Sequence, residues 1–202
     1  EHEFMVVANA SNGPAVFAEL VERATDFDAV VEDRTDGYVL VAVQGPKAET
    51  LLARVFGDAI RDVRFFRFGW FQFEGRDMVI ARSGYSKQGG FEIYLNGSDL
   101  GMPLWDALFA AGADLQVHAG CPNGIERVES GLLSYGNDMT DDNTPHECGL
   151  GKFCDTYTAI GCIGRDALLR VAKEGPVQQI RPIAIDGDPV PSCDRVWALR
   201  AD

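Results

Sequence analysis

The stretch from residue 63 to residue 95 does most to limit what this chain can fold into. It reads VRFFRFGWFQF, EGRD, MVIAR, an irregular SGYSKQGG, then FEIYL. Residues 63–73 read as a strand with bulky side chains on both faces, from Phe66, Phe68, Trp70 and Phe71. Glu74-Gly75-Arg76-Asp77 has the chemistry of a hairpin turn and returns the chain into a second strand over 78–82. Residues 91–95 supply a third. A sheet is therefore the organising element, and the remaining segments must cover it.

Periodicity elsewhere fills in the cover. Val16, Phe17, Leu20 and Val21 repeat at helical spacing, with Asn9, Ser11 and Asn12 as capping candidates and Pro14 in the first turn. Residues 48–55 carry Leu51, Leu52 and Val55 on one helical face. A third helix runs from a Ser98 or Asp99 cap to about residue 111, with Leu104, Trp105, Leu108 and Phe109 expected inward. A fourth starts at an Asn123 cap and carries Ile125, Val128, Leu132 and Leu133, and a fifth spans 163–174. Further strands are expected over 4–8, 29–33, 38–43 and 178–185. This alternation predicts an α+β fold, ferredoxin-like, with helices on one face of the sheet. The chain enters directly on a strand, and Pro189 and Pro191 interrupt its last β-like part. We therefore expect a piece of a longer protein, with one domain over 1–155 and the start of a second, β-rich one over 156–202.

A formal net charge of −13 over 202 residues leaves no polycationic field for phosphates, which argues against nucleic acid and anionic membranes as partners. No run of about 20 apolar residues is present for a membrane span, and no signal-peptide pattern opens the chain. The five cysteines are irregularly spaced, and His2, His118 and His146 lack zinc-ligand spacing. Reduced, mostly buried thiols and a cytoplasmic location follow, with no metal site expected. His146 near Cys148 is read as a loop histidine beside a structural cysteine.

Two glycine-punctuated blocks carry the candidate chemistry. In residues 83–90, Gly84, Gly89 and Gly90 let a ligand approach the main chain, and Lys87 and Gln88 offer polar heads beside them. Strand alternation then places Glu92 and Tyr94 on one face and Phe91 and Ile93 on the other. A carboxylate there can accept two hydrogen bonds from an amidine-like heterocycle edge. The competing readings are a plain hairpin turn and a solvent-facing strand side. In the second block, NGIERVESGLLSYGNDMTDDNTPHECGLGKFCD, Arg127 and Glu129 are two apart and do not share a helix face, so each is expected to have its own structural partner.

Together these blocks resemble a family. SGYSKQGGFEIYL, IERVESGLLSYGNDM and NTPHECGLGKFCD with IGCIGRDALL are similar, in this order, to the signatures of the tetrahydrofolate-dependent aminomethyltransferases, the glycine-cleavage T-protein superfamily. The likeness runs from about residue 4 to about residue 185. SKQGG, CPN at 121–123, GLLSYGNDM and PHECGLGKF lean toward the dimethylsulfoniopropionate demethylases of marine bacteria. Asn123 stands where the T-protein has a folate-contacting arginine, which agrees with that branch. The resemblance implies a T-protein-type folate-binding sheet domain followed by the start of a C-terminal β-barrel. It implies tetrahydrofolate as methyl acceptor and a sulfonium zwitterion or an aminomethyl donor as substrate. Glu92 falls on the family's pterin-binding glutamate, with Tyr85 and Gln88 as further folate contacts and Tyr94 and Tyr85 on the substrate side. No residue is assigned a catalytic role, and a homo-oligomer stays open. A glycine-cleavage-type aminomethyltransferase and a non-enzymatic folate-binding protein assisting iron–sulfur proteins are the alternatives. The cysteine-bearing glycine-glutamine-glutamate motif of the latter is missing, as is the dinucleotide-binding glycine pattern of a dehydrogenase-fused relative.

Overall fold

The computed structural model describes residues 3–120, 124–155, 162–184 and 186–188. The chain divides into two compact units, residues 1–122 and residues 123–202.

The first unit is built on a four-stranded sheet, β1 (Tyr38–Gln44), β2 (Phe68–Phe73), β3 (Arg76–Ala81) and β4 (Gly90–Asn96), in the order β1-β4-β3-β2. All three pairings are antiparallel. The parallel pair that closes a ferredoxin-like βαβ unit is absent among the described residues. The expected hairpin is tighter than its four-residue motif, because Phe73 pairs with Arg76 and leaves only Glu74 and Gly75 in the turn. Both have positive φ, 49° and 75°. That combination matches the right-handed twist of the flanking strands, and Gly75 adopts it without a Cβ penalty.

One face of the sheet is covered by helices α2 (Ala48–Phe56) and α3 (Gly101–Ala111). Leu51 and Leu52 of α2 and Leu104 and Leu108 of α3 meet Met78, Ile80, Phe91, Ile93 and Leu95 from the strands. Leu52, Ile80, Ile93, Leu95 and Leu104 are wholly inaccessible, each worth about 1.5–3 kcal/mol of burial. Phe71 and Phe73 pack against Phe56 with ring centroids 6.3 and 6.1 Å away.

Several expectations fail for identifiable reasons. Residues 4–8 and 29–33 are irregular and mostly exposed; an apolar run becomes a strand only where a neighbouring edge accepts its ladder hydrogen bonds. Helix α1 (Gly13–Ala24) forms, preceded by a 3-10 turn, but no side chain caps it and none of its residues is fully buried. Asp99 does not cap α3 either: it holds Arg76 through two bonds of 2.7 and 2.6 Å. A bidentate guanidinium offers it more than one amide does. Trp105 is exposed and stacks beside Phe109 at 4.9 Å, because Leu104 and Leu108 already fill the inward stripe.

In the second unit, α4 (Gly124–Glu129) is much shorter than expected. Gly131 at φ 65° ends it, with the Leu132 and Gly131 amides donating to the Arg127 and Val128 carbonyls. This is a Schellman termination, and it releases Leu132 and Leu133 from the helix. Asn123 lies outside the described residues. Helix α5 (Arg165–Glu174) matches its expected span closely. Residues 178–184 form no strand; the Ile180 amide donates to the Glu147 carbonyl, and no ladder follows. Residue 185 and the 189–202 segment lie outside the described residues.

Candidate functional site

The face of the sheet turned away from α2 and α3 is open, and its pairing register lays it out in rows. Ala42, Glu92, Ala81 and Phe68 follow one another across the four strands, and Leu40, Tyr94, Val79 and Trp70 form the adjoining row. Glu92 is thus flanked by two alanines, the smallest side chains that still fit a pleated strand. To one side of it stands the Tyr94 phenol. Phe68 and Trp70, 65% and 68% exposed, bound the far edge. The result is a shallow recess with a carboxylate on its floor and apolar or aromatic neighbours.

Glu92 is held from two directions. The Ser83 hydroxyl donates to its Oε2, and the Tyr94 hydroxyl approaches the same oxygen at 3.4 Å. Both contacts fall on Oε2, so Oε1 keeps its lone pairs for an N–H-bearing ligand. Burial pushes the Tyr94 phenol above the ordinary tyrosine range, and the nearby Glu92 charge and its hydrogen bond add to this. Tyr94 is therefore a neutral donor at any physiological pH.

The loop that follows β3 is fastened by a residue that sequence reading passed over as a mere break in the strand pattern. Gln44, at the end of β1, is paired with Gly90. Its side-chain amide donates to the Ser83 carbonyl at 3.1 Å and the Phe91 carbonyl at 3.2 Å, and its Oε1 accepts from Ser86 at 2.8 Å. Its signal was available: a polar residue at a strand end, on the parity of Ala42, immediately before Gly45-Pro46.

The four residues proposed from sequence divide between three places. Glu92 and Tyr94 come together on the open face. Tyr85 sits 42% exposed in the loop. Gln88 lines a separate cleft of about 200 Å³ with Glu49, Thr50, Arg82 and Phe91. Phe91 belongs to the helix-covered face, so Gln88 does not join Glu92 in one recess. Arg82 in that cleft is fixed by Glu49 at 2.7 Å and lies over the Phe91 ring at 5.3 Å. It acts as a structural clamp.

In the second unit, Arg127 meets Asp138 at 2.5 Å and the Leu132 carbonyl at 3.1 Å, and the Ser134 amide also donates to Asp138 at 2.7 Å. Arg127 thus has a structural partner, as expected. Thr144 and Glu147 bond reciprocally: the Thr144 amide donates to Glu147 Oε2 at 2.7 Å, and the Glu147 amide donates to Thr144 Oγ at 3.3 Å. Cys148 is buried against Met139, with Sγ and Sδ 3.5 Å apart. Burial and the Glu147 charge push its thiol up, the opposite of an activated nucleophile. Cys154 and Cys162 are also free thiols, but neither is fully buried, so among the described cysteines the expectation of mostly buried thiols holds for Cys148 alone; Cys121 and Cys193 lie outside the described residues.

The family model of the GCVT N-terminal domain matches residues 1–158. The chain belongs to this family. Among curated proteins, members similar to it include the dimethylsulfoniopropionate demethylase DmdA of Ruegeria pomeroyi, 64% identical over 80% of this chain and 44% of that protein. An aminomethyltransferase of Saccharopolyspora erythraea is 35% identical over 89% of this chain and 49% of its own length. Among solved structures, the glycine cleavage system aminomethyltransferase T from Bartonella henselae superposes with a TM-score of 0.57 at 30% identity, covering 84% of this chain and 45% of that one. The chain therefore spans about half the length of the curated relatives it matches. Within this family its four-stranded antiparallel sheet with helices on one face carries Glu92 on the uncovered side. No described helix is long and apolar enough to cross a membrane.

Proposed function

We propose that the protein to which this chain belongs demethylates dimethylsulfoniopropionate, passing one methyl group to N5 of tetrahydrofolate and releasing methylmercaptopropionate. The observation that carries this reading is the gap between 64% identity to the demethylase and 35% to the aminomethyltransferase. The fit of the open face supports it. Glu92 Oε1 can accept from the amidine-like edge of a pterin, while Ser83 and Tyr94 hold the carboxylate by Oε2. Tyr94, and Tyr85 in the loop, offer aromatic faces to a sulfonium, each worth about 0.5–2 kcal/mol. Gln88 is retained as a folate contact that would reach the ligand from the loop rather than from the recess floor.

The chemistry asks little of the protein beyond placement. The sulfur–methyl bond breaks with its electron pair returning to sulfur, the carbon–nitrogen bond forms at N5, and the N5 proton leaves to solvent. A sulfonium is already a good leaving group, so holding donor and acceptor in line supplies most of the acceleration. We further assign residues 1–155 to the folate-binding domain and 156–202 to the opening of a C-terminal β-barrel, and we place the protein in the cytoplasm.

Incubating the full-length protein with dimethylsulfoniopropionate and tetrahydrofolate should yield methylmercaptopropionate and 5-methyl-tetrahydrofolate in equal amounts. Turnover only with an aminomethylated lipoyl donor would favour the aminomethyltransferase reading. Folate binding without turnover of either donor would favour a non-enzymatic role.

A further inference from the structure

We propose that Gln44 is a positioning residue for the folate site: it fixes the 83–90 loop so that Ser83 presents its hydroxyl to Glu92. This rests on the folate reading of Glu92. Gln44 shares the open face with Ala42 and Glu92 by strand parity, one pairing step beyond the Glu92 row. Its amide ties both ends of the loop at once, donating to the carbonyls of Ser83 and Phe91, and its carbonyl receives the hydroxyl of Ser86, which is 8% exposed. The Ser86 oxygen in turn accepts from the Gln88 amide at 3.3 Å.

The loop is shaped around this side chain. A Cβ on Gly84 would fall inside the Gln44 amide, and one on Gly90 would lie 2.5 Å from the Val43 carbonyl and 2.7 Å from the Gln44 side chain. The glycines thus make room for Gln44, and Gln44 supplies the contacts that a glycine-rich segment cannot make for itself. A second latch runs from the Gly45 amide to the Gly89 carbonyl at 2.9 Å. Gln44 touches no ligand in this account; it acts through Ser83.

Two variants of the full-length protein test this. Gln44→Glu keeps the size and the acceptor for Ser86 but replaces the donor with a second acceptor facing two carbonyls. Ser86→Ala removes the hydroxyl that Gln44 and the Gln88 amide share but leaves both Gln44 donations in place, and is the milder change. For Gln44→Glu we expect amide exchange across residues 84–90 to accelerate at least tenfold and KM for tetrahydrofolate to rise about tenfold, the scale of one lost buried hydrogen bond. The kcat should stay within about twofold, because the reacting atoms are not addressed. Ser86→Ala should give the same pattern at smaller amplitude. In a Glu92→Gln background, Gln44→Glu should add little further to KM, since its route to the ligand is already cut. Unchanged loop exchange would overturn the proposal. So would faster exchange with unaltered KM in a protein whose Glu92→Gln variant does raise KM, and so would full additivity of the two substitutions. If Glu92→Gln leaves KM unaltered, the folate reading fails instead, and the exchange data alone decide whether Gln44 holds the loop.

Discussion

The two faces of one strand, β4, make the instructive comparison. Phe91, Ile93 and Leu95 are at most 1% exposed and lie under the helices. Glu92 and Tyr94, interleaved with them, stay half-buried on the open side. The same backbone thus serves two purposes separated by a single residue step. The covered face stabilises, through apolar area removed from water. The open face holds a carboxylate whose partners, Ser83 and Tyr94, orient it without neutralising it. A pleated strand can do both because its side chains alternate with period two, so a rigid core on one side fixes side-chain positions on the other to within small tolerances.

Substitutions on the two faces should therefore separate stability from binding. The largest effect on stability belongs to Ile93→Ala, which should cost about 2–5 kcal/mol as measured by urea denaturation. Its tetrahydrofolate affinity should change little in the folded fraction. Comparable destabilisation from an open-face substitution would erase the distinction. Trp70→Ala removes a large ring that is already 68% exposed, and its cost should stay below about 1 kcal/mol. Leu40→Ser, at a position 48% exposed, should move stability by no more than about 0.5 kcal/mol.

A titration sharpens the comparison further. The Tyr94 phenol is held above its ordinary range, first by burial and then by Glu92. In a spectrophotometric titration it should ionise above the range of a free phenol, and Glu92→Gln should bring it part of the way back, with the burial contribution remaining. The sign for stability follows. With a raised folded-state pKa, the contribution of Tyr94 is complete below the unfolded value of about 10 and is lost as pH rises through the folded value. A Tyr94 that titrates with the free phenol would contradict the half-buried, carboxylate-facing geometry.

Much of this arrangement was legible in the sequence, and the exceptions are physical. The hairpin, β4, helices α2 and α3 and the parity of Glu92 with Tyr94 all follow from local pattern, because turn chemistry and side-chain alternation are local properties. The strands expected at 4–8 and 29–33 failed because strand formation is decided by a partner edge, which short-range pattern does not encode. Asp99 looked like a cap and is an Arg76 partner, since a guanidinium 23 residues away is invisible to helix-end rules. Gln44 was passed over for the same reason: its worth lies in bonds to Ser83, Ser86 and Phe91, 39 to 47 residues onward. Gln88 was grouped with Glu92 by closeness in sequence, and the three residues between them carry it to the cleft beside α2.

The central claim is that the open face around Glu92 is a ligand face and not merely a solvated strand side. Calorimetric titration of tetrahydrofolate into full-length Glu92→Gln tests it most directly. Losing a charge-assisted hydrogen bond is worth about 1.5–3 kcal/mol, so Kd should rise roughly 10- to 150-fold, while the melting temperature without folate barely moves. An unchanged Kd would contradict the account and return Glu92 to the surface of an ordinary sheet.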